Sequence, residues 1–340
     1  MATIKDVAAL AGISYTTVSH VVNNSRPVSA HVRRKVESAI AELNYVPSAV
    51  ARSLKAQSTA TIGLLVPNSV NPYFAELARG IEDCCERNGY CVILCNSDDD
   101  PQKQRNYLRV LLEKRVDGLV VASVGGDAAL IDLLAAVRTP MVIVDRGLHE
   151  VSADLVCIDH EQGGYLATQH LLELGHRDIA CISGPQHTHV AQLRMDGYRR
   201  ALGERGLRPA ANRVMHSDFT SPGGYRAAVQ LLAGEPPSAV FAANDMIGLG
   251  VLRAAAEQGI RVPDELSVIG FDDIELSRYV YPALTTVGQR IGELGEVAAE
   301  RLLARIAGSP GAAPTRHVIA PQIVVRESTA RYADLPHELR

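Results

Sequence analysis

The chain has 340 residues, of which 47% are hydrophobic, 21% charged and 4% aromatic, with no Trp. That length calls for two or three cores, and that composition for a soluble globular protein. No segment approaches the roughly eighteen uncharged apolar residues of a membrane helix. "MATIKDVAAL" lacks the basic start and apolar run of a secretory leader, so a cytoplasmic protein is expected.

Net charge is −4, unevenly spread. Residues 1–60 carry seven basic and three acidic groups, whereas the other 280 carry 27 and 35. A small basic head on an acidic body suits a nucleic-acid-binding domain joined to something else.

In "TIKDVAALAGISYTTVSHVVNN", Thr3 can cap a helix with apolar Ile4, Val7, Ala8 and Leu10, stopped at Gly12. Ser14 caps a second helix with Val18, Val21 and Val22 on one side. Helix, short glycine turn, helix is the helix-turn-helix arrangement. The second helix offers Tyr15, Thr16, Thr17, Ser19, His20 and Asn23, side chains that suit base edges and phosphates in a major groove. A third helix, Ala30 to Leu43, closes the core. After it, "PSAVARSLKAQST" reads as one or two turns of helix built from small residues around Leu54, too short to hold together alone in water.

From Thr61 onward the chain alternates β and α. Apolar strand candidates are "IGLLVP", "CVILCN", "GLVVAS", "MVIVD", "LVCI", "IACISG", "AVFAAN" and "LSVIGF", with amphipathic helices between most of them; in the first, Phe74, Leu77, Ala78, Ile81 and Cys85 share a face. Continuous apolar strands indicate parallel sheets covered on both sides, and their number indicates two doubly wound lobes with a cleft at the strand ends. No glycine fingerprint follows a strand and no P-loop is present, so no cofactor is expected. Cys84, Cys85, Cys91, Cys95, Cys157 and Cys181 lack paired C-x-x-C spacing and read as buried free thiols rather than a metal site.

Polar and aromatic groups follow the strands: Asn71, Tyr73 and Phe74, then Asp145 and Arg146, then Phe219, Asn244, Asp272 with Asp273, and Gln289; Arg194 lies on the helix after "ISGP". Asp and Asn also cap helices at strand ends whatever the function, and Arg146 or Arg194 could pair at the surface. Taken together they are carboxylate, amide and guanidinium groups able to grip neighbouring hydroxyls, with rings to cover a small ligand's faces.

"ATIKDVAALAGISYTTVSHVVN" and "VSAHVRRKVESAIAELNYVPSAVARSL" closely resemble the DNA-binding head of the lactose-repressor (LacI) family of bacterial regulators. The body resembles that family's periplasmic-binding-protein-like regulatory core nearly to the C-terminus. The resemblance implies a head over 1–58 with a hinge helix, a two-lobed sugar-binding body over 60–330, a homodimer on pseudo-palindromic operator DNA, and no enzymatic activity. It assigns DNA contact to Thr3, Ser14, Tyr15, Thr16, Thr17, Ser19, His20, Asn23, Arg26, Tyr45, Ala51, Leu54 and Lys55. Leu54 is the minor-groove wedge on a helix that folds on the operator. In the body, "NPYF", "DR", "LRMDGY", "DF", "ND", "FDD" and the Gln of "TTVGQ" resemble the contact set of ribose-binding proteins, and "RGIEDCCERNGYCVILCNSDDD" and "GFDDIE" resemble ribose-operon repressors. Tyr73 departs from that set, which has Phe there, and its hydroxyl is expected at solvent or the pocket edge.

The sequence-level expectation is therefore a repressor released from DNA by ribose. The alternative is a purine base as corepressor, against which Arg146 stands as a donor fork where a flat base would favour an aromatic. A hydrolase using Asp272 and Asp273 lacks an activated nucleophile. A periplasmic receptor conflicts with the missing leader and the head. The tail "ESTARYADLPHELR" lacks leucine heptads, so no tetramerising segment is expected.

Overall fold

Thr3 starts the first helix through a reciprocal cap: its hydroxyl accepts from the Asp6 amide, and the Asp6 carboxylate accepts from the Thr3 amide. Helix α1 (Ile4–Ala11) ends where Gly12 takes a left-handed φ of 64°, which costs glycine no Cβ clash. Ser14 caps α2 (Tyr15–Val22) and Ser29 caps α3 (Ala30–Glu42). Val7, Val18, Val21, Val36 and Ala39 form the buried centre of this bundle. Leu10, expected inside, is 46% exposed. At about 100° per residue, the stripe of Val7, Ala11, Ile4 and Ala8 turns away from it.

The structure is a computed structural model that describes residues 2–46, 58–122, 127–145, 151–308 and 313–332. The expected hinge helix, with Ala51, Leu54 and Lys55, and the expected cleft residue Arg146 lie outside the described residues. The chain divides into two units, Met1–Thr59 and Ala60–Arg340.

The second unit is built on two six-stranded sheets. The first contains β1 (Thr61–Val66), β2 (Cys91–Asn96), β3 (Gly118–Ala122), β4 (Met141–Val144), β5 (Asp154–Ile158) and β11 (Arg316–Ile319), ordered β11-β5-β4-β3-β1-β2 and parallel throughout. The second contains β6 (Ile179–Ser183), β7 (Val214–His216), β8 (Ala239–Ala242), β9 (Ser267–Asp272), β10 (Thr285–Gly288) and β12 (Gln322–Val324), ordered β12-β10-β9-β8-β6-β7. It is parallel except for β12, which runs antiparallel to β10. Strands β7, β10, β11 and β12 were not among the apolar candidates. They are three or four residues long and, β10 apart, incompletely buried, so their runs are too short to show a period.

The chain passes between the lobes three times. It leaves β5 for α7 (His160–Glu173) of the second lobe, leaves β10 for α11 (Ile291–Ala307) of the first, and leaves β11 for β12. In the first lobe α11 packs against α4 (Pro72–Arg87), whose Leu77, Ile81 and Cys85 are fully buried as the helical period requires. All six cysteines are free thiols, and Cys91 departs from expectation in being exposed. No helix among the described residues is long and apolar enough to cross a membrane.

Helix α7 and helix α8 (His189–Glu204) touch backbone to backbone. A Cβ on Gly197 would stand 2.0 Å from the Glu161 carbonyl oxygen and 2.5 Å from the Tyr165 nitrogen, and one on Gly164 would stand 2.1 Å from the Arg194 carbonyl oxygen. Gly197→Ala should therefore destabilise the protein by about 1–3 kcal/mol in urea denaturation. Gly203→Ala on the same helix, where a Cβ meets nothing within 4 Å, should be neutral or stabilising by up to about 1 kcal/mol. Equal effects would contradict the close approach.

Candidate functional sites: an interlobe cleft and an exposed helix face

In the head, the exposed face of α2 is narrower than its sequence suggests. Tyr15 and Thr16 are exposed, whereas Thr17, Ser19, His20 and Asn23 are half-buried. The Thr17 amide donates to Ser14 Oγ at 3.2 Å, and the two hydroxyls meet at 2.8 Å. Asn23 Nδ2 donates to the Ser19 carbonyl and hydroxyl at 2.8 and 3.2 Å. His20 Nδ1 meets the Ser25 hydroxyl at 2.9 Å. Ser14, Thr17, Ser19 and Asn23 thus shape the helix, while Tyr15, Thr16 and the outer edge of His20 face outward. Arg26 is exposed, and Tyr45 packs partly against the bundle core.

In the second unit, strand ends gather a buried polar row. Asp145 follows β4, Asp272 ends β9, Gln289 follows β10, and Arg194 reaches in from α8; they are 8%, 3%, 0% and 5% exposed. Arg194 Nη1 donates to the Ala243 carbonyl at 2.5 Å and lies 3.5 Å from Asp272 Oδ1, to which Gln289 Nε2 donates at 2.5 Å. The guanidinium sits over the Phe271 ring at 3.8 Å and 5.9 Å from that of Phe219, contacts worth about 2 kcal/mol where water is excluded. The row includes His160, which strand-end reasoning missed although it opens the helix directly after "LVCID". Its Nε2 is 2.8 Å from Asp145 Oδ1, and its Nδ1 is 3.4 Å from Arg194 Nε and Nη2.

Other expected residues have structural duties. Asn71 caps α4, its Oδ1 accepting from the Tyr73 amide at 3.1 Å. Asn244 caps α10 (Asp245–Glu257) and donates through Nδ2 to the Phe219 carbonyl at 3.2 Å. That bond helps hold Phe219 at φ 62°, its ring lying where a Cβ on Gly184 would be, 2.1 Å away. Tyr73 is 5% exposed and meets Phe74 edge-on at 4.9 Å. Its hydroxyl is buried, which corrects the expectation that it reaches solvent. Asp273 points elsewhere than Asp272: it pairs with Arg326 and Arg278. The adjacent carboxylates therefore do not form an acid–base pair.

Asp145, Phe219, Asp272 and Asp273 all have φ between 59° and 120°, a region unfavourable to residues with a Cβ. Such strain persists only where the surroundings impose it and concentrates at functional sites. Burial pushes the Asp272 carboxyl up to about 7; Arg194 and the Gln289 amide pull it down, while Asp145 and Glu76 push it up. Burial, then repulsion from Asp272, raises Asp245 well above the carboxylate range, although Thr286 and the Ile274 amide donate to it. Gln289 Oε1 is buried and has no hydrogen-bond partner among the described residues. No group of metal-binding side chains occurs among the described residues.

A helix-turn-helix unit followed by two doubly wound lobes with a buried polar row at their strand ends is the build of a ligand-regulated DNA-binding protein. Residues 3–48 match the lacI family of bacterial regulatory proteins, and residues 168–329 match the periplasmic binding protein-like domain. The chain is 44% identical over 332 residues to the HTH-type transcriptional repressor PurR of Photobacterium profundum, covering 96% of this chain and 98% of that protein. It superposes on the lac repressor dimer bound to operator and the anti-inducer ONPF with a TM-score of 0.85 at 31% identity, covering 97% of this chain and 99% of that one. An Enterococcus faecium LacI-family regulator with bound ribose gives a TM-score of 0.73 at 34% identity, covering 80% of this chain and 99% of that one. The chain belongs to the LacI family of bacterial transcriptional regulators and is a repressor, not an enzyme. The narrower likeness to ribose-operon repressors finds no support among the relatives 44% identical over nearly the whole chain, which are named PurR.

The Asp272 shift gives a signed prediction. A carboxyl raised on folding stabilises the folded state most below its unfolded value of 3.8, and that contribution fades as pH rises through about 7. Asp272→Asn removes this loss, so the variant should gain about 2 kcal/mol relative to the parent between about pH 5 and about pH 8. Urea denaturation at both pH values measures it; an unchanged offset would show that Asp272 does not titrate in that window.

Proposed function

We propose that this repressor binds a pseudo-palindromic operator as a homodimer, and that a purine base held between the lobes acts as its corepressor. Gln289 carries the cleft assignment: a wholly buried acceptor without a partner among the described residues, beside Asp272, suits a ligand N–H or O–H. Arg194 offers donors to a ligand carbonyl, and Phe219 and Phe74 offer flat faces. The choice of a purine follows the relatives named PurR, the purine repressor, 44% identical over nearly the whole chain.

A second reading has D-ribose as an inducer. Asp145, His160, Arg194, Asp272 and Gln289 form a row of buried polar groups dense enough for a polyol, and the E. faecium relative has ribose bound. The two readings differ in sign, since a corepressor tightens operator binding and an inducer releases it.

On the DNA side, Tyr15, Thr16 and His20 read base edges. Thr3, Arg26 and Tyr45 serve phosphates, and Leu54 wedges the minor groove with Ala51 and Lys55 beside it. Operator duplexes selected from a random pool by the full-length protein should bind about 5- to 150-fold more tightly with hypoxanthine or guanine. Arg194→Ala should select the same duplexes and ignore the base. Release by ribose with no response to either base would replace the first reading by the second.

A further inference from the structure

His160 stands between the lobes and touches both. Asp145, 2.8 Å from its Nε2, ends a strand of the first lobe; Arg194, 3.4 Å from its Nδ1, belongs to a helix of the second. A guanidinium only donates, so Nδ1 is the acceptor and the ring proton lies on Nε2, which is within 2.8 Å of Asp145 Oδ1 but not aligned with it for a hydrogen bond. The imidazole thus presents its donor side to one lobe and its acceptor side to the other. Phe271 backs the ring at 6.2 Å and 23°. Gly163, where a Cβ would stand 2.6 Å from the Phe271 ring, lets α7 come close enough. His160 is also the first residue of the helix that follows a chain crossover, so it sits where the chain enters the second lobe.

We propose that His160 is a positioning residue that ties effector binding to lobe arrangement. A ligand that contacts Asp145 or Arg194 alters the geometry of the ring between them, and with it the angle between the lobes. The coupling rests on the reading of the cleft as the effector site; the tie between lobes does not. A second contact across the cleft reports the tie without any ligand. The Glu275 amide, just beyond β9, donates to Glu76 Oε1 on α4 at 2.8 Å, so its hydrogen exchange follows lobe contact.

The test compares His160→Gln, His160→Asn and His160→Ala in the full-length protein. A Gln amide extends about as far as Nε2 and can serve both neighbours. An Asn amide reaches only the Nδ1 position, keeping Arg194 within its own lobe and losing Asp145. Exchange of the Glu275 amide should match the parent in His160→Gln and rise about ten-fold or more in His160→Asn and His160→Ala. In the same two variants, the change in operator affinity caused by hypoxanthine, guanine or ribose should fall to within about two-fold of none. Parent-like Glu275 exchange in His160→Asn, or His160→Gln behaving like His160→Ala, would overturn the tie. Exchange that rises as expected in a protein indifferent to all three ligands would support the tie and count against the effector reading. An intact ligand response in His160→Asn would do the reverse.

Discussion

The cleft depends on one buried charge. A guanidinium does not give up its proton, so Arg194, 5% exposed, has to be compensated where it lies. The Ala243 carbonyl, the Asp272 carboxylate and His160 Nδ1 provide that compensation, and the Phe271 ring supports the flat face. Each partner comes from a different element, so the charge also fixes how strands β8 and β9 and helices α7 and α8 meet. The glycines at the α7–α8 contact follow from this. Only a helix pair with backbones in touch brings Arg194 and His160 to the same ring.

Beside that cation stands Asp272, which repels Asp145 on one side and Asp245 on the other, all three buried. The result is a polar wall whose ionisation responds to what is placed against it. Three chain crossovers join the lobes, and polar contacts across the cleft pair Asp145 with His160 and Glu76 with the Glu275 amide. A ligand shifts such a pair of lobes only by the difference in its affinity for their arrangements. An effector that takes up part of the polar row therefore acts on the groups that hold the lobes together.

Local signals made the head legible in sequence. Thr3 and Ser14 are caps acting within three residues, Gly12 is a turn glycine, and the valines repeat at helical spacing. The parallel strands were legible because burial on both faces makes their runs continuously apolar. The cleft was legible in part: Asp272, Gln289 and Arg194 do come together, whereas Asn71 caps a helix and Asn244 joins a cap to a contact with Phe219. His160 escaped because nothing local distinguishes it; its role arises from Asp145, fifteen residues back across the lobe boundary, and Arg194, on the neighbouring helix. Asp273 looked equivalent to Asp272 until Arg326, 53 residues on, drew it away. The effector itself was least legible, since a purine and a pentose both present ring faces and N–H or O–H donors to acceptors such as Gln289.

The central claim is that an effector binds against the Asp272 end of this polar row. Calorimetric titration of the full-length protein with hypoxanthine, guanine and D-ribose near pH 7, the Asp272 midpoint being about 7, tests it in two buffers of different ionisation enthalpy. A ligand that donates an N–H or O–H to Asp272 favours the carboxylate and displaces its proton, so its heat should differ between buffers and the difference should vanish in Asp272→Asn. Heat independent of buffer, or a buffer difference that persists after Asp272→Asn, would contradict the account.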